Sequence, residues 1–196
     1  MKKIIICILL VYSILFLSGC EKNNNILTSE NIKKLELTGN LVTYQAYYHN
    51  VIEYDKPAGN GVTHLLEKER KLFIEYTGTV KIGINLSKVK IEMNGNNITV
   101  FIPKAQVIDE PNVAKDDFSA DNFIESKDSW INSNPITVDD SIYAFNNAQK
   151  EMKEVAMNDD ELLSRAQKRA KMLIEEKIIQ LNSINKNNIN ISWEYE

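Results

Sequence analysis

The chain has 196 residues, enough for one ordinary domain, and its 43% hydrophobic and 26% charged residues are typical of a folded protein. Its formal charge of −4 argues against a nucleic-acid-binding protein, which needs a basic surface. With 7 Gly and 4 Pro, the chain is neither collagen-like nor of low complexity.

The first predicted element is an export signal. Lys2 and Lys3 give a positive start, residues 4–17 are uncharged and apolar, and Ser18 and Gly19 are the small residues expected near a cleavage point. As a helix, residues 4–19 would be roughly 24 Å long, which is shorter than the bilayer core of about 30 Å. The segment therefore fits a removable signal better than a permanent span.

The tetrapeptide Leu-Ser-Gly-Cys at residues 17–20 resembles the bacterial lipobox. This resemblance implies that Cys20 receives a diacylglyceryl group on its sulfur, and that the chain is cleaved between Gly19 and Cys20. Residues 1–19 are then a lipoprotein signal peptide. Two acyl chains anchor a protein stably, whereas one binds only marginally. The expected location is the cell membrane, lipid-anchored and facing outside the cytoplasm; an uncleaved anchor helix is the alternative.

Cysteine usage agrees with this interpretation. The chain has two cysteines, Cys7 and Cys20, and Cys7 leaves with the signal, so no disulfide or cysteine metal site is expected in the mature chain. Loss of Lys2 and Lys3 takes the formal charge from −4 to −6, which argues against general adhesion to an anionic membrane. Residues 20–34 are predicted to be the lipidated cysteine and a polar tether.

Alternating apolar residues predict strands in the first half of the expected domain, residues 35–196. Gly78 and Gly83 are expected to mark a bend or bulge. The predicted strands are residues 42–54, 72–77 and 78–86 and the two arms of a hairpin at residues 88–103, which turns at an Asn-Gly pair.

Residues 109–135 are acidic and irregular, and we predict a long loop that packs down through five residues: Phe118, Phe123, Ile124, Trp130 and Ile131. Calcium binding by this loop is an alternative because hard oxygen ligands suit it, but the spacing D-x-D-x-D-G is absent. The acidic residues concerned are Asp109, Glu110, Asp116, Asp117, Asp121, Glu125 and Asp128.

Two helices are predicted next, with Asp139 or Asp140 as N-cap of the first and Asp159 as N-cap of the second. Their apolar stripes are Ile142, Phe145, Met152 and Ala156, then Leu163, Ala166, Ala170, Leu173, Ile174, Ile178 and Leu181. The end of the sequence, "INISWEYE", alternates with Ile189, Ile191, Trp193 and Tyr195 inward. The order predicts a single α+β domain: a mainly antiparallel sheet covered by two C-terminal helices, with a final C-terminal strand joining the sheet.

No pattern of catalytic residues emerges. His49 and His64 are the only histidines, and the spacing H-E-x-x-H of a zinc enzyme is absent. Neither a G-x-S-x-G serine elbow nor a phosphate-binding glycine loop occurs. We therefore assign no catalytic residue, no metal ligand and no cofactor, and expect a protein that is not an enzyme.

Two groups of side chains are weaker candidates for binding. A basic face on the second helix could meet lipid headgroups, although an ordinary exposed face explains it equally: Arg165, Lys168, Arg169 and Lys171. An aromatic row could line a ligand groove, although core packing is the default: Tyr44, Tyr48 and Tyr54.

Residues 73–108 resemble the core of the bacterial family catalogued as domain of unknown function 4230. Its pattern has Tyr-x-Gly-x-Val, then Gly-Ile-Asp-Leu-Ser, then an apolar hairpin ending in Leu-Pro-x-Ala. The matching residues here are Tyr76, Gly78, Val80, Gly83, Ile84, Leu86, Ser87, Ile102, Pro103 and Ala105, with Asn85 in place of the Asp. The resemblance covers about residues 35–191 and implies no activity.

The expected function is a lipid-anchored extracytoplasmic protein of unknown specific activity that binds or scaffolds at the cell envelope. Its expected partners are the membrane, through lipid on Cys20, and an envelope protein, with no nucleic acid. The alternative is an envelope hydrolase with an unrecognised carboxylate site. A solute-binding transporter component would need two hinged lobes, for which the mature chain is short.

Overall fold

The computed structural model describes residues 37–125, 132–181 and 189–196. The predicted signal peptide (residues 1–19), Cys20, the tether (residues 20–34) and Asp128 lie outside the described residues. Neither helix of the described part is long and apolar enough to cross a bilayer. The elements are β1 (Asn40–Lys56), β2 (Arg70–Asn85), β3 (Lys90–Asn94), β4 (Asn97–Ile102), β5 (Gln106–Val113), β6 (Ile124–Glu125), α1 (Val138–Met157), α2 (Asp160–Leu181) and β7 (Asn190–Tyr195).

The larger sheet has the order β1-β2-β5, with β6 also paired to β2, and all its pairs are antiparallel. The two strands predicted at residues 72–77 and 78–86 are one continuous strand, β2. The expected bulges are irregularities in the pairing of β2 with its two neighbours. The register with β1 shifts between Val42 and Tyr44, opposite Gly83, and the register with β5 shifts between Thr79 and Lys81, next to Gly78. At Gly83, an added Cβ would overlap the carbonyl oxygen of Leu41, so only glycine fits this close crossing.

The smaller sheet has the order β3-β4-β7. The predicted hairpin is confirmed: β3 and β4 pair antiparallel, and Gly95 has a φ of 59° in the turn between them. The predicted C-terminal strand, β7, pairs parallel to β4. Ile191 and Trp193 pack against the core, but the prediction that Tyr195 points inward is wrong, since its side chain is exposed.

The segment at residues 109–135 is more ordered than predicted, because β5 occupies its first part. The sequence did not predict this strand because it contains Pro111, and proline has no N–H to donate to a neighbouring strand. Proline is tolerated here because β5 is an edge strand. Asp109, in the middle of β5, has a φ of 66°, which departs from regular strand geometry. Phe118 and Phe123 are buried, as predicted, but the prediction for Ile124 is wrong, since its side chain is exposed. Trp130 and Ile131 lie outside the described residues.

Both helices pack one face on the sheets through small residues. The fully buried positions of α1 are Ala144, Ala148, Met152 and Ala156, and those of α2 include Ala166 and Ala170. The predicted stripe of α2 is therefore confirmed at Ala166 and Ala170. In α1, the prediction that Ile142 faces the core is wrong, because its side chain is exposed. The alanines let the helices lie close to strands that carry bulky isoleucines and valines.

The N-caps differ from expectation in one case. Asp159 accepts a hydrogen bond from the Leu162 N–H at 2.9 Å, as predicted for the second helix. For α1, the cap is Thr137, and Asp140 is its reciprocal partner three residues on in a capping box. The molecule as described is a single α+β domain, with an antiparallel larger sheet, a mixed smaller sheet, two helices after most of the strands and a final strand in the smaller sheet.

Candidate functional site

The best candidate site is a groove of about 450 Å³ beside the N-terminal half of α2, called here the α2 groove. Lys168 and Lys171 reach it from the helix, Lys104 from the turn between β4 and β5, and Tyr195 from the end of β7. Ser164 and Lys168 are four residues apart, and Lys171 is three further on, so these side chains lie on one helical face. The buried positions of α2 lie beside this face, and one of them, Gln167, also lines the groove.

Gln167 fixes the wall of the groove. Its side chain is buried; its Oε1 accepts a hydrogen bond from the Ala105 N–H at 2.5 Å, and its Nε2 donates to the Pro103 carbonyl oxygen at 3.2 Å. This two-way contact holds the turn that carries Lys104 against the helix. The two bonds are to backbone groups on both sides of Lys104.

The lysines of the groove are not neutralised by carboxylates. Among the described residues, Lys104, Lys168 and Lys171 form no ion pair. The Nζ of Lys171 lies 4.7 Å from the ring centroid of Tyr195 and 5.5 Å from that of Trp193, a cation–π arrangement that positions the ammonium without cancelling its charge. Asp160 is the acidic side chain in the groove lining, so the groove carries net positive charge.

The groove lies near the place where the described chain begins. The hydroxyl of Thr43, close to the start of β1, donates to the Ala166 carbonyl of α2 at 2.9 Å. Of the four basic residues predicted to form one face, only Lys168 and Lys171 line the groove, while Arg165 pairs with Glu161 on the surface.

A second polar cluster surrounds Asp140 and is internally satisfied. Its carboxylate accepts hydrogen bonds from Lys56 and Tyr54 and from the backbone N–H and hydroxyl of Thr137, the last two at 2.7 Å. Burial alone raises the pKa of Asp140, but these hydrogen bonds outweigh burial and lower the pKa to about 2. Burial, together with the hydrogen bond to Asp140, raises the pKa of Tyr54 to about 12. Asp140 is thus ionised near neutral pH and pairs with Lys56 in the interior.

The two histidines are far from forming a metal site. His49 contacts Glu75 on the exposed face of the larger sheet. His64 contacts Glu67 at 2.7 Å, and Glu67 also accepts from the Gly59 N–H at 2.9 Å. The hydrogen bond from His64 is the main cause that lowers the pKa of Glu67. Each histidine is therefore paired locally.

The acidic residues considered for calcium are dispersed in the structure. Glu110 pairs with Lys153 at 2.5 Å, Glu125 pairs with Arg70, and Asp117 accepts from the Thr77 N–H. Within the three described ranges, no three His, Cys, Asp or Glu side chains are grouped as metal ligands would be. The alternative of a calcium loop has no geometric support in these ranges.

The tyrosine row lies between the sheet and the helices and does not form one groove. The ring of Tyr54 contacts that of Tyr143 at 4.9 Å between centroids, and Tyr44 lies beside Arg165 of α2. Burial is the main cause that raises the pKa of Tyr48. The default interpretation, partial core packing, is the better description.

Sequence reasoning missed three members of the groove. Lys104 follows a proline in a short turn, Gln167 is a polar residue on a mainly apolar face, and Tyr195 was expected inside. Only Gln167 gave a usable signal, since a polar residue between two buried alanines needs a partner.

Residues of the family pattern lie where backbone geometry is tight. Gly83 allows the close crossing with β1, and Asn85 caps a short turn by accepting from the Ser87 N–H at 2.9 Å. Pro103 and Ala105 are the two residues that Gln167 binds. An aspartate at position 85 could accept the same bond, so the pattern there specifies an acceptor and does not require a charge.

Comparison with known proteins agrees with this pattern. No curated protein and no solved structure matches the chain. The family model described as "Protein of unknown function (DUF4230)" matches residues 33–191. The chain therefore belongs to this family, as the resemblance of residues 73–108 implied.

Proposed function

We propose that the protein is a lipid-anchored extracytoplasmic module that binds or scaffolds a partner at the cell envelope. The anchor is proposed on the sequence alone, from the lipobox-like residues that end in Cys20. The observation that carries the binding role is the α2 groove, in which Lys104, Lys168 and Lys171 have no carboxylate partner among the described residues. Cations that lie in one concave surface without carboxylate partners favour recognition of an anionic ligand.

The alternative of an envelope hydrolase has weaker support. General acid–base chemistry needs a carboxyl whose pKa is tuned towards the working pH. Asp140, the buried carboxylate, has a pKa of about 2 and all its hydrogen bonds are made within the fold. The groove contributes a single acid, Asp160, and lysines, which suits binding better than carboxylate catalysis.

The anchor is tested by metabolic labelling with a fatty-acid analogue in the producing cells. Wild-type protein should take up the label and lose residues 1–19, whereas Cys20→Ser should stay unlabelled and unprocessed. Label on the Cys20→Ser protein, or an intact Met1 on the wild type, would reject the anchor.

The binding role is tested by site-specific photo-crosslinking in intact cells. A photo-reactive residue at position 164 places the probe in the groove, and one at position 92 places it on the exposed face of β3 as the matched control. We expect a defined adduct from position 164 that position 92 does not give. Equal yields from both positions would contradict binding at the groove.

A further inference from the structure

We propose that the α2 groove binds a phosphate group, carried either by a membrane lipid headgroup or by a soluble phosphate ester. The inference deepens the proposed function by naming the class of ligand, and it relies on that function only for the location of the groove outside the cytoplasm.

The charge pattern favours phosphate. Lys104, Lys168 and Lys171 bring three ammonium groups to one groove, while the chain as a whole has a formal charge of −4. Lysine binds phosphate as a point charge, and a phosphate offers several oxygens to more than one ammonium at once. A carboxylate offers two oxygens and one charge, whereas a phosphate monoester offers three terminal oxygens and a charge of about −1.5 to −2, and so compensates more of this positive set.

The groove is held in shape before any ligand arrives. Gln167 holds the turn of Lys104 through the Ala105 N–H at 2.5 Å and the Pro103 carbonyl at 3.2 Å, and the rings of Trp193 and Tyr195 flank the Lys171 ammonium. Because these contacts already restrict the backbone at Lys104 and the ammonium of Lys171, ligand binding loses less conformational entropy at these two residues.

The size and the other lining residues fit a phosphate ester better than a bare ion. A volume of about 450 Å³ lies in the range of small-molecule sites. Ser164 and Tyr195 add hydroxyl groups near the cations, and Leu163 and Ala105 give apolar surface for the carbon part of the ligand.

Lipid headgroups are within reach of an anchored domain. The described chain begins at Leu37 and reaches α2 through the bond from Thr43 to Ala166. About 17 residues separate Leu37 from Cys20, and such a segment spans at most about 60 Å whatever its conformation. A protein attached to the bilayer through Cys20 therefore keeps Leu37 within that distance of the membrane surface, and the Thr43–Ala166 contact ties the nearby start of β1 to α2.

The test uses Trp193 as the reporter, because its ring lies 5.5 Å from the Lys171 Nζ. The protein, in whichever form the producing cells make it, carries Trp130→Phe, so that Trp193 is its single tryptophan, and is studied in a nonionic detergent. It is titrated with inorganic phosphate, glycerol phosphate and dioctanoyl phosphatidylglycerol, with dioctanoyl glycerol as the phosphate-free control. A response to glycerol phosphate equal to that for the lipid assigns the soluble source, and a response confined to the lipid assigns the headgroup.

Two triple variants separate the groove from general electrostatics. Lys104→Gln/Lys168→Gln/Lys171→Gln should weaken binding about 100-fold, since each lysine near a phosphate surface contributes about fivefold. The matched control removes the same charge from exposed lysines outside the groove, as Lys81→Gln/Lys88→Gln/Lys177→Gln, and should stay within about threefold of wild type. Unchanged thermal melting of both variants verifies that they are folded.

Three results would overturn the inference: no Trp193 response to any phosphate compound, an equal response to dioctanoyl glycerol, or an equal loss in the two triple variants. The titration in detergent does not require lipid on Cys20. Failure of the anchor in the labelling experiment and failure of phosphate binding are therefore observed separately.

Discussion

Replacement of Asp140 by asparagine should be the most damaging conservative change at the end of the sheet where α1 begins. Both Asp140 and Lys56 are less than a tenth exposed, and the carboxylate also accepts from Tyr54 at 2.8 Å and from Thr137. The asparagine side chain would keep the shape but would leave the Lys56 ammonium buried without a counter-charge. Removing one partner of a buried ion pair commonly costs about 3–5 kcal/mol.

The pKa of Asp140 gives an independent magnitude. A folded-state value of about 2, against an ordinary value of 3.8, corresponds to about 2.5 kcal/mol of stabilisation of the ionised form. Because the pKa is lowered on folding, this stability is fully present above about pH 5 and is lost as the pH falls through 3.8 towards 2. We expect Asp140→Asn to lose about 3 kcal/mol at pH 7 and about half as much at pH 3.

Urea unfolding, followed by circular dichroism at both pH values, measures this loss at constant m-value. Glu154→Gln is the matched control on the same helix: its partner Lys150 lies 3.9 Å away and both are exposed, so we expect a change within about 0.5 kcal/mol. Lys56→Met combined with Asp140→Asn should recover at least about 1 kcal/mol, because it removes the unpaired charge. A loss below about 1 kcal/mol at pH 7, or the same loss at both pH values, would refute the reasoning.

Three further changes test the backbone features. Gly83→Ala should cost about 2 kcal/mol and lower the melting temperature, because the new methyl group overlaps the Leu41 carbonyl oxygen; an unchanged melting temperature would contradict this. Asn85→Asp should stay within about 0.5 kcal/mol in urea unfolding, since it still accepts from the Ser87 N–H, whereas Asn85→Ala should lose about 1 kcal/mol; equal losses would contradict a capping role. Thr137→Ala should lose about 1 kcal/mol of unfolding free energy at pH 7, and no loss would show that the capping box is dispensable.

The candidate site was only partly predictable from sequence. Lys168 and Lys171 stood out as basic residues on a helix, and their common face follows from helical spacing. Lys104 comes from a turn about 60 residues earlier in the chain, and nothing local links it to the helix. Its place beside them depends on the bonds that Gln167 makes across the fold.

Contacts with neighbouring elements also decide that β5 is a strand and which residues of α1 are buried. Pro111 makes β5 look like a loop in isolation, and it is accepted because the strand lies at an edge. In α1, the pattern of large residues suggested that Ile142 is inside, yet the alanines at positions 144 and 148 face the core because they fit close to the sheet.

The sequence by itself determined the strand and helix periods, the order of strands before helices, the hairpin at Asn-Gly and the family, because these depend on side-chain alternation and turn chemistry over a few residues. The division into two sheets, the parallel pairing of β7 with β4 and the meeting of Lys104 with the lysines of α2 were decided by tertiary structure. The physical reason is the separation in sequence over which each feature is determined. A hydrophobic period is visible in neighbouring residues, whereas strand register and the meeting of side chains in one groove depend on packing between segments that are distant in the chain.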